Sequence, residues 1–170
     1  MLIDLSGAQP QKEATREYSV TYEGQEAAGY PVADAPAFAL QLKKDRGYLF
    51  TASGEGKATL EIPCGRCLRP VSTEVLFSLD RSFDLQTGLD PDGDAVDFLQ
   101  EGVLDTDRLI HEEIVMNLPI RVLCREDCRG ICERCGANLN DGPCGCEKQE
   151  APTRMADAIF AAMKAADKKK

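Results

Sequence analysis

Apolar and polar positions alternate through much of the first half of the chain. Residues 15–23 place Tyr18, Val20 and Tyr22 at every second position, and Phe38, Leu40 and Leu42 repeat the pattern. Period-two spacing puts one set of side chains on one face of a strand, so each segment predicts a half-buried strand. A short strand is predicted over residues 2–5, followed over 6–16 by a polar loop holding Gly7 and Pro10. Residues 48–52 and 57–62 flank Ser53-Gly54-Glu55-Gly56, which predicts a hairpin with a glycine-containing turn. Residues 71–83 carry Val71, Thr73, Val75, Phe77 and Leu79 on one face and predict another strand.

The pattern then changes. Residues 84–107 hold Asp84, Asp90, Asp92, Asp94, Asp97, Glu101, Asp105 and Asp107 with no Lys or Arg, and predict a long solvated loop with short ordered pieces. Asp90-x-Asp92-x-Asp94, with Glu101 in the twelfth place, imitates a calcium loop. Ala95 stands where such a loop needs glycine, and Gly88 and Pro91 oppose a flanking helix, so the segment reads as a solvated acidic loop. Thr106 or Asp107 is placed to cap a helix over 106–118, with Ile110, Ile114 and Leu118 on one stripe and Pro119 ending it. His111, the single histidine, falls near the apolar face of that helix and reads as a partnered structural residue. Residues 153–166 are Ala-rich, with Met155, Ile159 and Met163 on one stripe, and predict a last helix before the basic tail Lys168, Lys169 and Lys170.

These elements predict an α+β fold: a β-rich antiparallel body with one central helix, a C-terminal zinc-knuckle module and a C-terminal helix. The body covers residues 1–122, including the helix at 106–118. The cysteine-rich module covers 123–147, and the last helix and tail cover 148–170.

Composition narrows the function classes. The 170 residues are 43% hydrophobic but only 6% aromatic with no Trp, so the core must come from aliphatic residues and Phe. A net charge of −9 repels nucleic acid at long range, so any RNA contact needs a local basic patch, and basic proteins become natural partners. The first residues lack the charged and apolar regions of a leader, and no run approaches the ~18 apolar residues of a membrane span. The expectation is a cytoplasmic protein with no membrane partner, where thiols stay reduced.

The chemistry lies in eight cysteines: Cys64 and Cys67, Cys124 and Cys128, Cys132 and Cys135, Cys144 and Cys146. Close pairs in which small residues such as Gly65, Gly136 and Gly145 let the backbone bend are knuckles that each supply two thiolates to one Zn²⁺. Cys132, Cys135, Cys144 and Cys146 can close one site locally, because the intervening Asn, Asp, Gly and Pro residues have turn chemistry. Cys64, Cys67, Cys124 and Cys128 would then form a second site, clipping the β-rich half to the tail. In the alternative division Cys124 or Cys128 joins the local cluster and leaves Cys64 and Cys67 free. One or two Zn²⁺ per chain follow, with two favoured. The rival readings are a thiol-redox CxxC, which needs a helix directly after the first cysteine, and disulfides or buried thiols. No Ser–His–Asp arrangement is readable, so no enzyme and no small-molecule substrate is expected.

Between residues 58 and 147 every cation is Arg, and Arg66, Arg69, Arg121, Arg125, Arg129 and Arg134 sit beside the cysteines. Two roles compete for them. They can offset the net −2 charge of a Zn²⁺ held by four thiolates, or they can contact RNA, since Arg pairs with phosphate bidentately and stacks on bases. Glu126, Asp127 and Glu133 dilute the patch.

Several ordered motifs over residues 60–160 resemble the YceD-like family, the large ribosomal RNA subunit accumulation proteins. They are Cys64-x2-Cys67-Leu68-x-Pro70, then Glu112-Glu113-Ile114 followed by Leu118-Pro119, and then Cys124-x-Glu126-Asp127-Cys128-x-Gly130-x-Cys132-x2-Cys135-Gly136-x-Asn138-Leu139-Asn140 with Cys144-x-Cys146. The resemblance implies a non-enzymatic role in large-subunit ribosomal RNA accumulation or processing and in ribosome assembly. The implied partners are large-subunit ribosomal RNA, basic ribosomal proteins, or both. Outside that class stand a redox-sensing CxxC protein and a zinc-dependent protein-interaction module that acts away from the ribosome.

Overall fold

The structure is a computed structural model and describes residues 1–8, 13–45 and 47–146. The helix and basic tail expected over 148–170 lie outside the described residues. The chain forms two compact units, Met1–Cys128 and Arg129–Lys170.

The first unit is built on one long antiparallel hairpin, β6 (Leu49–Pro63) and β7 (Pro70–Asp84), paired without a break from Leu49↔Asp84 to Pro63↔Pro70. On its other edge β6 pairs first with β5 (Phe38–Lys44) and further along with β4 (Tyr30–Asp34). Strand β2 (Ala14–Val20) pairs with β5, and β3 (Glu26–Ala27) pairs with β4, which completes a six-stranded sheet. A smaller sheet orders β1 (Leu2–Asp4), β9 (Val103–Asp105) and β8 (Leu99–Gln100).

The alternation predicted for β2, β5 and β7 is present, but the hairpin turn predicted at 53–56 is not. Strand β6 runs straight through Gly54 and Gly56. The reason is packing. Phe50, Ala52, Ala58, Leu60 and Ile62 are buried, all at even positions, and Gly54 and Gly56 fall on the same parity. A Cβ on Gly56 would lie 2.5 Å from Cζ of Phe77, and one on Gly54 would lie 2.7 Å from the Ala39 carbonyl oxygen. The glycines make room for the edge-to-face pair Phe38–Phe77, whose centroids are 5.5 Å apart. Gly56→Val should therefore cost about 1–3 kcal/mol by overpacking. A urea titration should show a lower midpoint with an unchanged slope.

Two tight hairpins fell inside segments without strong alternation. β3–β4 turns at Ala28-Gly29 and β8–β9 at Glu101-Gly102, with all four residues at positive φ. That is the backbone which two-residue hairpin turns require. Helix α1 (Thr106–Met116) is one residue pair shorter than expected and is capped by Asp105, whose carboxylate accepts from the Asp107 and Arg108 amides. Its Leu109, Ile110 and Ile114 are buried against the body, and Leu118, past the helix end, packs against the same core. Glu113, also buried, receives the Arg81 guanidinium at 2.6 Å. His111 Nδ1 lies 2.8 Å from the Tyr22 hydroxyl, a structural partnership of the kind expected.

The acidic stretch turns back on itself. The Asp90 carboxylate accepts from the backbone amides of Asp92 and Asp94 at 3.0 and 2.8 Å, and the Asp84 carboxylate accepts from those of Gln86 and Thr87. These are local Asx turns.

The second unit has no long strand among its described residues. A bridge joins Ile131 to Asn138, and the Leu139 amide donates to the Gly130 carbonyl. The Asn138 side chain accepts from the Asn140 amide.

Candidate metal centres

The first CxxC forms the tip of the β6–β7 hairpin. The last strand pair is Pro63↔Pro70, and neither proline can donate to a further ladder, so the chain is released into a tight turn. In that turn the Cys64 amide donates to the Arg69 carbonyl at 2.8 Å and the Leu68 amide to the Cys64 carbonyl at 3.0 Å. The second CxxC repeats the scheme in the other unit. There the Cys132 amide donates to the Ala137 carbonyl and the Gly136 amide to the Cys132 carbonyl, both at 2.8 Å. The same spacing gives the same knuckle in two unrelated surroundings.

The hairpin tip does not stand alone. The Gly65 amide donates to the Val122 carbonyl at 2.8 Å. Arg66 Nη1 donates to the carbonyls of Glu126 and Cys128 at 3.1 and 2.9 Å. These bonds draw residues 122–128 alongside the tip and bring Cys124 and Cys128 to Cys64 and Cys67. Cys64 Sγ is 3.8 Å from Cys128 Sγ, and Cys67 Sγ is 3.6 Å from Cys124 Sγ. All four sulfurs lie within 4.8 Å of one another, and Cys64, Cys67 and Cys128 are buried. Cys132, Cys135, Cys144 and Cys146 gather in the same way within the second unit. The unit boundary at 128/129 therefore runs between the two tetrads, and the local set stays separate from Cys124 and Cys128.

The distances bear on what the tetrads can hold. A disulfide needs about 2.05 Å between sulfurs, and all eight cysteines are free thiols. Tetrahedral Zn²⁺ with Zn–S of about 2.3 Å separates its sulfurs by about 3.8 Å, close to the contacts in the first tetrad. The donor chemistry agrees. Backbone amides of Cys124, Cys67 and Arg66 directed at Cys64 bring its thiol down to about 6. Desolvation and the three neighbouring thiols push Cys124 up to about 12. In the second tetrad, amides of Cys135 and Arg134 lower Cys132 to about 6, while the Cys135 thiol and desolvation raise Cys146 to about 12. Each tetrad thus favours anionic sulfur on its first knuckle cysteine and crowds protons onto another. A soft divalent cation that replaced those protons would relieve the crowding.

The helix that a thioredoxin-like CxxC requires is absent at Cys64, which is followed by a turn and then by β7. Of the six arginines, all exposed, Arg66, Arg69, Arg121 and Arg125 belong to the first unit and Arg129 and Arg134 to the second. Arg66 braces the two knuckles of the first tetrad, and Arg125 pairs with Asp127 at 3.4 Å. A structural use of Arg66 was legible only as its nearness to cysteine; its carbonyl partners lie about sixty residues away in the chain.

A long hairpin tipped by one cysteine tetrad, followed by a compact second tetrad, defines the class of this chain as a twin-tetrad α+β protein. Residues 52–165 match the family described as large ribosomal RNA subunit accumulation protein YceD, and the chain belongs to that family. The chain is similar to a protein of Mycobacterium leprae named as uncharacterized, 33% identical over 79 residues, which are 45% of this chain and 36% of the relative. A Mycobacterium tuberculosis protein, likewise named as uncharacterized, is 32% identical over 83 residues, 47% of this chain and 40% of the relative. The large ribosomal RNA subunit accumulation protein YCED homolog 1, chloroplastic, of Arabidopsis thaliana is 34% identical over 47 residues, 28% of this chain and 15% of the relative. The matched stretch thus spans about two fifths or less of the length of these relatives. No solved structure matches the chain at a significant level. No helix among the described residues is long and apolar enough to cross a membrane.

Proposed function

We propose that this chain is a non-enzymatic, zinc-binding factor of the cytoplasm that supports large-subunit ribosomal RNA accumulation and processing, and with it ribosome assembly. Membership of the YceD family over residues 52–165 carries the reading. Two four-cysteine sets of tetrahedral dimensions support the zinc part. Cys64, Cys67, Cys124 and Cys128 would hold one Zn²⁺, and Cys132, Cys135, Cys144 and Cys146 the other. When bound, the metal supplies rigidity: it adds a fixed point to the segment 119–128, where Val122 packs against the hydrophobic core and Leu123 against the buried cysteines.

The chain acts by binding. Large-subunit ribosomal RNA is the partner that Arg66, Arg69, Arg121, Arg125, Arg129 and Arg134 suit, and the acidic segment 84–107 suits a basic ribosomal protein. The test is sedimentation of a lysate on a sucrose gradient, with the chain followed by immunoblot. It should travel with large-subunit precursors, and a deletion strain should show depressed large-subunit ribosomal RNA relative to small-subunit RNA. A chain confined to the top of the gradient, with normal ribosomal RNA in the deletion strain, would refute the reading.

A further inference from the structure

The two knuckles share one hydrogen-bond scheme but differ in the residue that closes it. The closing position follows the second cysteine and needs a left-handed backbone. In the second knuckle it is Gly136, at φ +71°. In the first it is Leu68, at φ +60°. Glycine takes that conformation without a steric cost, whereas a bulky side chain there is a true outlier. Leu68 gains nothing visible in return. It is 64% exposed and belongs to neither hydrophobic cluster. The same end of the unit carries a second bare aliphatic residue, Ile120, which is fully exposed. Its segment is tied to the knuckle by the Gly65–Val122 hydrogen bond.

The charge around Leu68 is also out of character. On a chain of net charge −9, residues 63–70 and 119–128 carry Arg66, Arg69, Arg121 and Arg125 against Glu126 and Asp127, a local excess of positive charge. An exposed apolar tip with the exposed Arg69 next to Leu68 and Arg121 next to Ile120 in the chain suits unpaired RNA. Arginine neutralises phosphate and stacks on bases, and an aliphatic side chain reaches a base face only where bases are unstacked. The deep, narrow groove of an RNA duplex offers it no such face.

We propose that the apex of the first knuckle is an RNA-contact surface for unpaired nucleotides. Leu68 lies against an unstacked base, and Arg69 and Arg121 engage the flanking phosphates. The assignment rests on the large-subunit RNA reading and names the element of the chain that makes the contact.

The test uses the full chain and two probes, a short single-stranded RNA of mixed sequence and the blunt duplex of the same length, read by fluorescence anisotropy. Wild type should bind the single strand more tightly than the duplex. Leu68→Gly should weaken single-strand binding about fivefold. Its metal content should remain that of wild type, and its thermal midpoint should be unchanged or higher by about 2 °C, because the strained position is relaxed. Arg121→Gln should lower the slope of log affinity against log salt by about 0.7. Wild-type binding by Leu68→Gly, or equal binding of duplex and single strand, would overturn the assignment. So would a lower thermal midpoint for Leu68→Gly, which would make Leu68 a packing residue. If Leu68→Gly bound RNA normally and still sedimented with large-subunit precursors, the apex assignment alone would fall. If wild type did not sediment with them, the large-subunit role itself would fall.

Discussion

Cys128→Ser should reduce the metal content from two Zn²⁺ per chain to one and lower the stability of the first unit by about 4 kcal/mol. Serine keeps the shape of cysteine in a slightly smaller volume but offers a hard, weakly acidic oxygen where Zn²⁺ selects thiolate. The cost follows from chain closure. The tetrad joins Cys64 to Cys128 and Cys67 to Cys124, pairs separated by 64 and 57 residues. A cross-link closing a loop of that length removes entropy from the unfolded chain worth about 4 kcal/mol at room temperature. Small zinc modules unfold outright without metal because they have no other core. This unit has a continuous core from Ile3 to Ile114, so the variant should stay folded with a lower urea midpoint. Cys146→Ser is the matched control: it should also lose one Zn²⁺ but leave the first unit's midpoint where it was. Elemental analysis of protein purified without added metal reads the stoichiometry. Two ions retained in Cys128→Ser would remove Cys128 from the ligand set, and none in wild type would remove the metal reading.

The cysteine knuckles were legible because their chemistry is local. Two cysteines with two residues between them can close only a tight turn, and the hydrogen bonds that close it at Cys64 recur at Cys132. The division of the eight thiols was less legible, because it depends on residues 122–128 reaching the hairpin tip through Val122, Glu126 and Cys128 carbonyls. Gly54 and Gly56 were misleading for a related reason. A glycine in a strand can mark a turn or the close approach of another group, and only the distant partners Phe38, Ala39 and Phe77 decide which. A signal was nevertheless present: the even-numbered apolar series Phe50, Ala52, Ala58, Leu60 and Ile62 keeps its parity across the glycines, as it would not across a turn of arbitrary length. The hairpins at Ala28-Gly29 and Glu101-Gly102 were hidden by strands of two to five residues, too short to display a period.

Phe83→Ala should cost about 3–5 kcal/mol and leave both metal sites intact. Phe83 is fully buried. Its ring stacks on Phe50 at 5.8 Å with planes 9° apart and meets Phe98 edge-on at 5.6 Å. The substitution removes both ring contacts at once from a fully enclosed position, so the upper part of the range applies. The position of the change in the hairpin makes it informative. Phe83 pairs with Phe50 near the open end of β6–β7, and Pro63 pairs with Pro70 at the closed end. The thirteen strand steps between Phe50 and Pro63, at about 3.3 Å each, place the cavity roughly 40 Å along the strand from the knuckle. Effects that far apart add when no partner is shared. Phe83→Ala should therefore lower the urea midpoint while elemental analysis still finds two Zn²⁺, and the double variant with Cys128→Ser should lose the sum of the two costs. Loss of metal in Phe83→Ala alone would mean that the tip is held by the core rather than by its own ligands. Additive costs with retained metal would establish the hairpin as a strut with a hydrophobic anchor at one end and a metal clip at the other.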